Sequence, residues 1–171
     1  MFSSKYIMKM LTTGAVVTLI AIGSNKVLSA EVGIASRPAI TIEVYKNPTC
    51  SCCNKWITHL EDSGFQSLVR NRRDLSVIKD NKGIEPRYRA CHTAISKDGY
   101  IFEGHVPAKV IKQFLNAKHP NTVIGLSVPR MPVGSPGMEV EDKFQPYNIL
   151  ILKSDGTNEI YYEVQSYKEQ F

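Results

Sequence analysis

The sequence has no apolar run long enough to cross a membrane. Its most apolar stretch, Leu11 to Gly23, is about 13 residues where a spanning helix needs about 20. It has no Lys/Arg-rich tract: the densest basic cluster, RNRRD from Arg70 to Asp74, reads as a solvated strand end, which gives no reason to expect nucleic-acid binding. It also has no internal repeat and no low-complexity tract, which excludes solenoids and propellers. What remains, with 43% hydrophobic and 22% charged residues in a chain of 171, is one globular domain with an ordinary core.

Acidic residues are missing altogether from the first thirty positions. That segment carries Lys5, Lys9 and Lys26, encloses the apolar run, and ends in the small residues of VLSA. The pattern is that of a secretory signal peptide over residues 1–30, followed by a linker at 31–38 and a single domain at 39–171. Leu28 is bulky for a cleavage signal, so processing after Ser29, Ala30 or Ala35 stays open. No cysteine lies in this region, which excludes a lipid attachment there. Losing the three lysines lowers the net charge from +5 to +2, so the basicity is largely that of the export signal, and no membrane contact is expected after cleavage.

Cysteine is scarce, with four residues, and three of them fall in PTCSCC: Cys50, Cys52 and Cys53. Export to an oxidising compartment makes two structural disulfides the default for an even count. The spacing argues against that default, because any bridge among these three closes a tiny loop and constrains the unfolded chain very little. Three pairings of the four cysteines remain open.

AITIEVYK (39–46) alternates apolar and polar residues as a first strand, and CNKWITHLEDSG (53–64) reads as a helix ended by Gly64. On the helical wheel Cys53, Trp56, Ile57 and Leu60 share a stripe roughly 100° wide, so Cys53 points inward while Cys50 and Cys52 sit at the more open helix start. FQSLVR (65–70) follows as a strand, and DLSVIKDNKG (74–83) as a short helix capped by Asp74. HTAISKDGYIFEG (92–104) is a hairpin around a KDG turn, and PAKVIKQFLNAK (107–118) a helix with Val110, Ile111, Phe114 and Leu115 on one face. With three prolines and three glycines, VIGLSVPRMPVGSPGME (123–139) reads as an irregular loop, and residues 147–164 close the chain as a second hairpin. The fold class is therefore α/β: strand, helix, strand, helix, hairpin, helix. This is a thioredoxin-like arrangement with an added C-terminal β-hairpin.

In that arrangement the first strand delivers PTCSCC to a helix N-terminus, whose free N–H groups and dipole favour thiolates. Cys50 and Cys53 form a C-x-x-C pair suited to redox catalysis, to which Cys52 is surplus. With Cys91 arriving from the start of the hairpin, the four thiolates make a soft-donor site that selects copper(I), zinc or iron–sulfur clusters. Adjacent Cys52 and Cys53 fit poorly on one mononuclear tetrahedron, which disfavours a simple zinc centre and favours bridging thiolates in a multinuclear copper(I) site. Met131 and Met138 add two thioethers as candidate ligands, against the plainer reading as gap-filling apolar side chains. His92, next to Cys91, is a candidate to ligate metal or tune thiol acidity. For His105 a structural role at the helix start is weighed against an approach to the site, and His59 and His119 are expected to face solvent.

In this order VYKNPTCSCCNKW, RACHTA, EGHVPA and GLSVPRMPVGSPGME resemble the CopG-like family of exported bacterial copper-resistance proteins, over residues 40 to 164. The resemblance implies a thioredoxin-like fold in the periplasm and a role in copper handling. It also implies that Cys50, Cys52, Cys53 and Cys91 are copper-binding, redox-active thiols that hold copper(I) as a cluster and form disulfides without metal. Partners are then copper ions and other periplasmic copper-handling proteins. Where thioredoxins carry a cis-proline facing the active cysteines, ACHTA offers Cys91 and His92 instead, which puts general protein disulfide exchange in doubt. The expectation is a periplasmic copper(I)-binding protein. A thiol–disulfide oxidoreductase using Cys50 and Cys53 is the competing enzymatic reading, and a domain with two permanent disulfides the structural one.

Overall fold

In PTCSCC the first strand ends and the first helix begins, and the computed structural model shows how the chain makes that junction. It describes residues 39–171, so the predicted signal peptide and linker lie outside the described residues. Strand β1 (Ile40–Lys46) leads through Asn47-Pro48-Thr49 into α1 (Ser51–Asp62). The Asn47 side chain accepts the Thr49 N–H at 3.0 Å, and the Asn47 carbonyl accepts the Cys50 N–H at 3.1 Å. This tight turn starts the helix two residues before the predicted Cys53, because the Cys50 Sγ itself serves as the cap and accepts the Cys53 N–H at 3.3 Å.

After α1 come β2 (Phe65–Asn71), α2 (Ser76–Asn81), a 3-10 turn (Pro86–Tyr88), β3 (His92–Ser96), β4 (Ile101–Gly104) and α3 (Ala108–Leu115). The chain ends with β5 (Val123–Val128), β6 (Tyr147–Lys153), β7 (Asn158–Val164) and a 3-10 turn (Tyr167–Gln170). One sheet runs β2-β1-β3-β4-β5-β6-β7. β1 and β2 are parallel with α1 as the crossover, and β4 and β5 are parallel with α3 as the crossover; the remaining pairs are antiparallel.

β5 corrects the sequence reading, which placed an irregular loop from Val123 onward. All three prolines and two of the three glycines of that segment lie beyond Val128. The six residues before them form a central strand with five positions buried, so the alternation that marks a half-exposed strand is missing. The irregular loop is confined to 129–146, and the C-terminal hairpin joins the sheet through β5 rather than standing apart.

The strands have two buried faces. Ile42, Val44, Ala94, Phe102, Leu126 and Val128 pack with Trp56 and Leu60 of α1 and with Ile111 and Phe114 of α3. Ile84, Tyr88, Ile101 and Leu152 form a smaller cluster on the other face, with Ile95 against it. Burial of each large apolar side chain contributes about 1.5–3 kcal/mol, so the α1/α3 face dominates the stability. Trp56 is held in orientation as well as place, its Nε1–H donating to the Val106 carbonyl at 2.9 Å. Lys112 of α3 donates to the Ser63 carbonyl at the end of α1, satisfying a carbonyl the helix leaves free.

Two histidines expected to face solvent are half-buried and make specific contacts. His59 Nε2 accepts the Ala108 N–H at 3.0 Å and so caps the start of α3. His119 stacks on Phe114 with ring centroids 3.9 Å apart and hydrogen-bonds the Phe114 carbonyl at 2.8 Å, closing the end of the same helix. Among the described residues no helix is long and apolar enough to cross a membrane.

Candidate metal centre

The α1 N-terminus and the start of β3 meet at four sulfurs. The Sγ atoms of Cys50, Cys52, Cys53 and Cys91 all lie within 4.8 Å of one another. Cys50 and Cys53 are joined as a disulfide, while Cys52 and Cys91 are free thiols. Cys52 lies 3.4 Å from Cys50, and Cys91 lies 3.4 Å from Cys53, so each free thiol touches one half of the bridge. As the helical stripe predicts, Cys53 is fully buried; Cys50, Cys52 and Cys91 are half-buried.

Cys91 also belongs to a second set. His92 Nδ1 lies 3.4 Å from its sulfur and His105 Nε2 lies 3.6 Å from it, and the three donor atoms fall within 4.8 Å of one another. His105 combines the two roles set against each other in the sequence, since it both holds the loop and approaches the site. Its Nδ1 donates to the Pro136 carbonyl at 2.7 Å, which fixes the tautomer and leaves the Nε2 lone pair directed at Cys91. His92 is buried against Trp56, with ring centroids 4.3 Å apart, and its Nε2 has no hydrogen-bond partner.

Gly104 explains how His105 reaches the site. Glu103 and His105 are two residues apart and in a regular strand would share a face. Gly104 adopts φ +75°, which breaks the alternation and turns His105 toward His92 while Glu103 stays on the opposite face.

Burial sets the protonation states. The Cys91 thiol is pushed up to about 12, first by burial and then by the neighbouring Cys52 sulfur. Burial likewise lowers both imidazoles, His92 well below the ordinary value with His105 and Lys79 adding to the effect. Neutral imidazoles are ready ligands, whereas the protonated thiol must lose its proton before it can ligate. Three sulfur donors from one helical turn, a fourth at the start of β3 and the two imidazole nitrogens beside it fit a soft, thiophilic metal ion.

The loop after β5 forms one wall. Gly137, at φ +87°, lies so close to α1 that a Cβ there would fall 2.8 Å from the Cys52 carbonyl oxygen and from the Trp56 nitrogen. Met138 follows it, half-buried, and Met131 lies in the same loop, exposed, next to Arg130 with both residues at positive φ.

A family model described as "Protein of unknown function, DUF411" matches residues 88–138, which include Cys91, His92, His105 and the loop wall. Two solved structures are similar to the chain. One, "Copper resistance protein copG, Form 1", is 35% identical with a TM-score of 0.68, covering 75% of this chain and 99% of that one. The other, Form 2, is 36% identical with a TM-score of 0.68, covering 74% of this chain and 98% of that one. No curated protein matches the sequence.

Proposed function

Because the chain belongs to the CopG-like family of copper-resistance proteins, we propose that it is an exported, periplasmic protein that binds copper(I) through Cys50, Cys52, Cys53 and Cys91. The observation that carries this reading is the convergence of the four sulfurs, one of them 38 residues beyond the nearest of the other three, within 4.8 Å. Thiolates in that number and crowding favour copper(I) over hard cations, and adjacent Cys52 and Cys53 favour sulfurs shared between ions over a single tetrahedral centre. His92 and His105 offer nitrogen donors at the edge of the sulfur cluster, and Met131 and Met138, thioethers of the loop that packs on α1, are the further soft donors we assign to it.

The chain's own chemistry prepares the site in two ways. Two electrons and two protons convert the Cys50–Cys53 disulfide into thiols, so the number of sulfurs able to ligate depends on redox state. The helix N-terminus favours the thiolates formed there, and half-buried Cys91 keeps its proton until a bound cation displaces it. Mass spectrometry of the anaerobically reduced protein titrated with copper(I) tests the reading. At least one copper(I) per chain, released when Cys91 is replaced by Ser, is expected; absence of tight binding overturns it.

The Cys50–Cys53 bridge favours a second reading, a thiol–disulfide oxidoreductase in which half-buried Cys50 exchanges with substrate and buried Cys53 resolves. It predicts that Cys53→Ser traps a mixed disulfide with an exported protein whether or not copper is present.

A further inference from the structure

Behind the metal centre lies a buried ion pair that no ligand set uses. Glu103 of β4 is fully buried and ion-pairs with Lys79 of α2, itself almost fully buried. Lys79 Nζ also donates to Thr93 Oγ1 at 2.9 Å. The two carboxylate oxygens have separate tasks. Oε1 accepts the Ala90 N–H at 2.6 Å, and Oε2 accepts the Thr93 hydroxyl at 2.7 Å. Ala90 immediately precedes Cys91 and Thr93 immediately follows His92. One side chain therefore grips the backbone before Cys91 and the side chain after His92, with both donor residues between its two holds.

Stability alone does not explain the arrangement. Burying a carboxylate and an ammonium costs several kcal/mol of desolvation per ion, and apolar side chains of similar volume often serve stability as well or better. Desolvation indeed raises the Glu103 carboxyl, against the opposing pull of Lys79 and of the Ala90 N–H. An apolar pair lacks the means to accept an amide hydrogen at 90 and a hydroxyl hydrogen at 93. The register reinforces the point: Thr93 pairs directly with Glu103 across β3 and β4, while His92 projects to the other face against Trp56. The carboxylate is thus placed to fix the segment without competing for metal.

We propose that Glu103 is a positioning residue for the metal centre, setting where the Cys91 sulfur and the His92 imidazole sit by clasping Ala90 and Thr93, with Lys79 as its ion-pair partner. The inference rests on the copper reading for its function. Its structural content is independent of that reading.

The test compares two double variants that both remove the buried charges. Lys79→Met/Glu103→Leu removes the clasp, and Lys79→Met/Glu103→Gln restores an acceptor for Ala90 and a hydrogen-bonding partner for Thr93. Copper(I) affinity of the reduced proteins is read by competition with a chromophoric copper(I) chelator, alongside metal-free melting curves. The Leu variant is expected to melt close to the native protein yet bind copper(I) about tenfold or more weakly, as supporting partners of ligands typically do when lost, with most of the affinity recovered by Gln. Native affinity in the Leu variant, or equal losses in both, overturns the proposal. Should the Leu variant fail to fold, Thr93→Val removes one hold alone and must weaken binding in the same direction; unchanged binding overturns the proposal. If the native protein itself binds no copper(I), the copper reading falls and the clasp is judged on NMR of the metal-free proteins. Displaced or multiplied Cys91 and His92 signals in the Leu variant, restored by Gln, uphold it, and native signals in the Leu variant refute it.

Discussion

The sulfurs of Cys53 and Cys91, 38 residues apart in sequence, lie 3.4 Å apart. Contact at this distance means that β3 delivers a reactive group to the helix that carries the other three, and the site depends on that delivery. Replacing Cys91 by Ser keeps the size and removes the soft donor. The reduced variant is expected to lose copper(I) affinity by about tenfold or more, measured against a competing chelator, with little change in metal-free melting because the thiol is only half-buried.

The same proximity offers an alternative bridge. In Cys50→Ser the native disulfide partner of Cys53 is gone, and the free sulfur of Cys91 lies 3.4 Å away. Mild oxidation should give a Cys53–Cys91 disulfide, identified by peptide mapping under non-reducing conditions. Recovery of Cys52–Cys53 or of free thiols alone would contradict the geometry.

Acid should loosen the metal-free fold through His59. Burial lowers its pKa below the ordinary 6.5, against the opposing pull of Glu139 and Asp62, and its neutral Nε2 accepts the Ala108 N–H. The unfolded chain therefore binds a proton more readily than the folded one between the folded pKa and 6.5. Its contribution is fully present above pH 6.5 and is lost as pH falls through the lower folded value. Melting temperature measured from pH 7.5 to 5 should fall on the acid side, and His59→Gln should flatten part of that slope while lowering the plateau.

The loop wall can be tested at Gly137. An Ala there meets both an unfavourable φ of +87° and two α1 backbone atoms at 2.8 Å. Gly137→Ala is expected to destabilise by about 1–3 kcal/mol in denaturant unfolding and to weaken copper(I) binding, since Pro136 next to it holds the His105 tautomer. Gly99→Ala, where a Cβ meets nothing, shares the positive φ and serves as the control for backbone strain without the close approach.

Local pattern carried much of the fold. The spacing of Cys53, Trp56, Ile57 and Leu60 marks the buried face of α1, and the KDG turn marks the β3–β4 hairpin, because each depends on neighbours in sequence. The convergence of Cys91 with PTCSCC followed from the element order. β5 escaped because a strand covered on both faces loses its alternation. The roles of His59 and His119 depend on contacts with Ala108 and Phe114, which periodicity does not encode. The Lys79–Glu103 pair was illegible for the opposite reason: charged residues default to the surface, and only tertiary packing reveals two that do not. For His105 the available signal was its neighbour Gly104, a residue able to reverse the face to which the next side chain points.

The chain has a single tryptophan, and it forms the floor beneath His92. The indole is locked to Val106 and shielded from water, so all of the protein's tryptophan emission originates beside His92, next to the sulfur cluster. Copper(I) binding or oxidation at the sulfurs is therefore expected to change the intrinsic brightness of the protein without any added label.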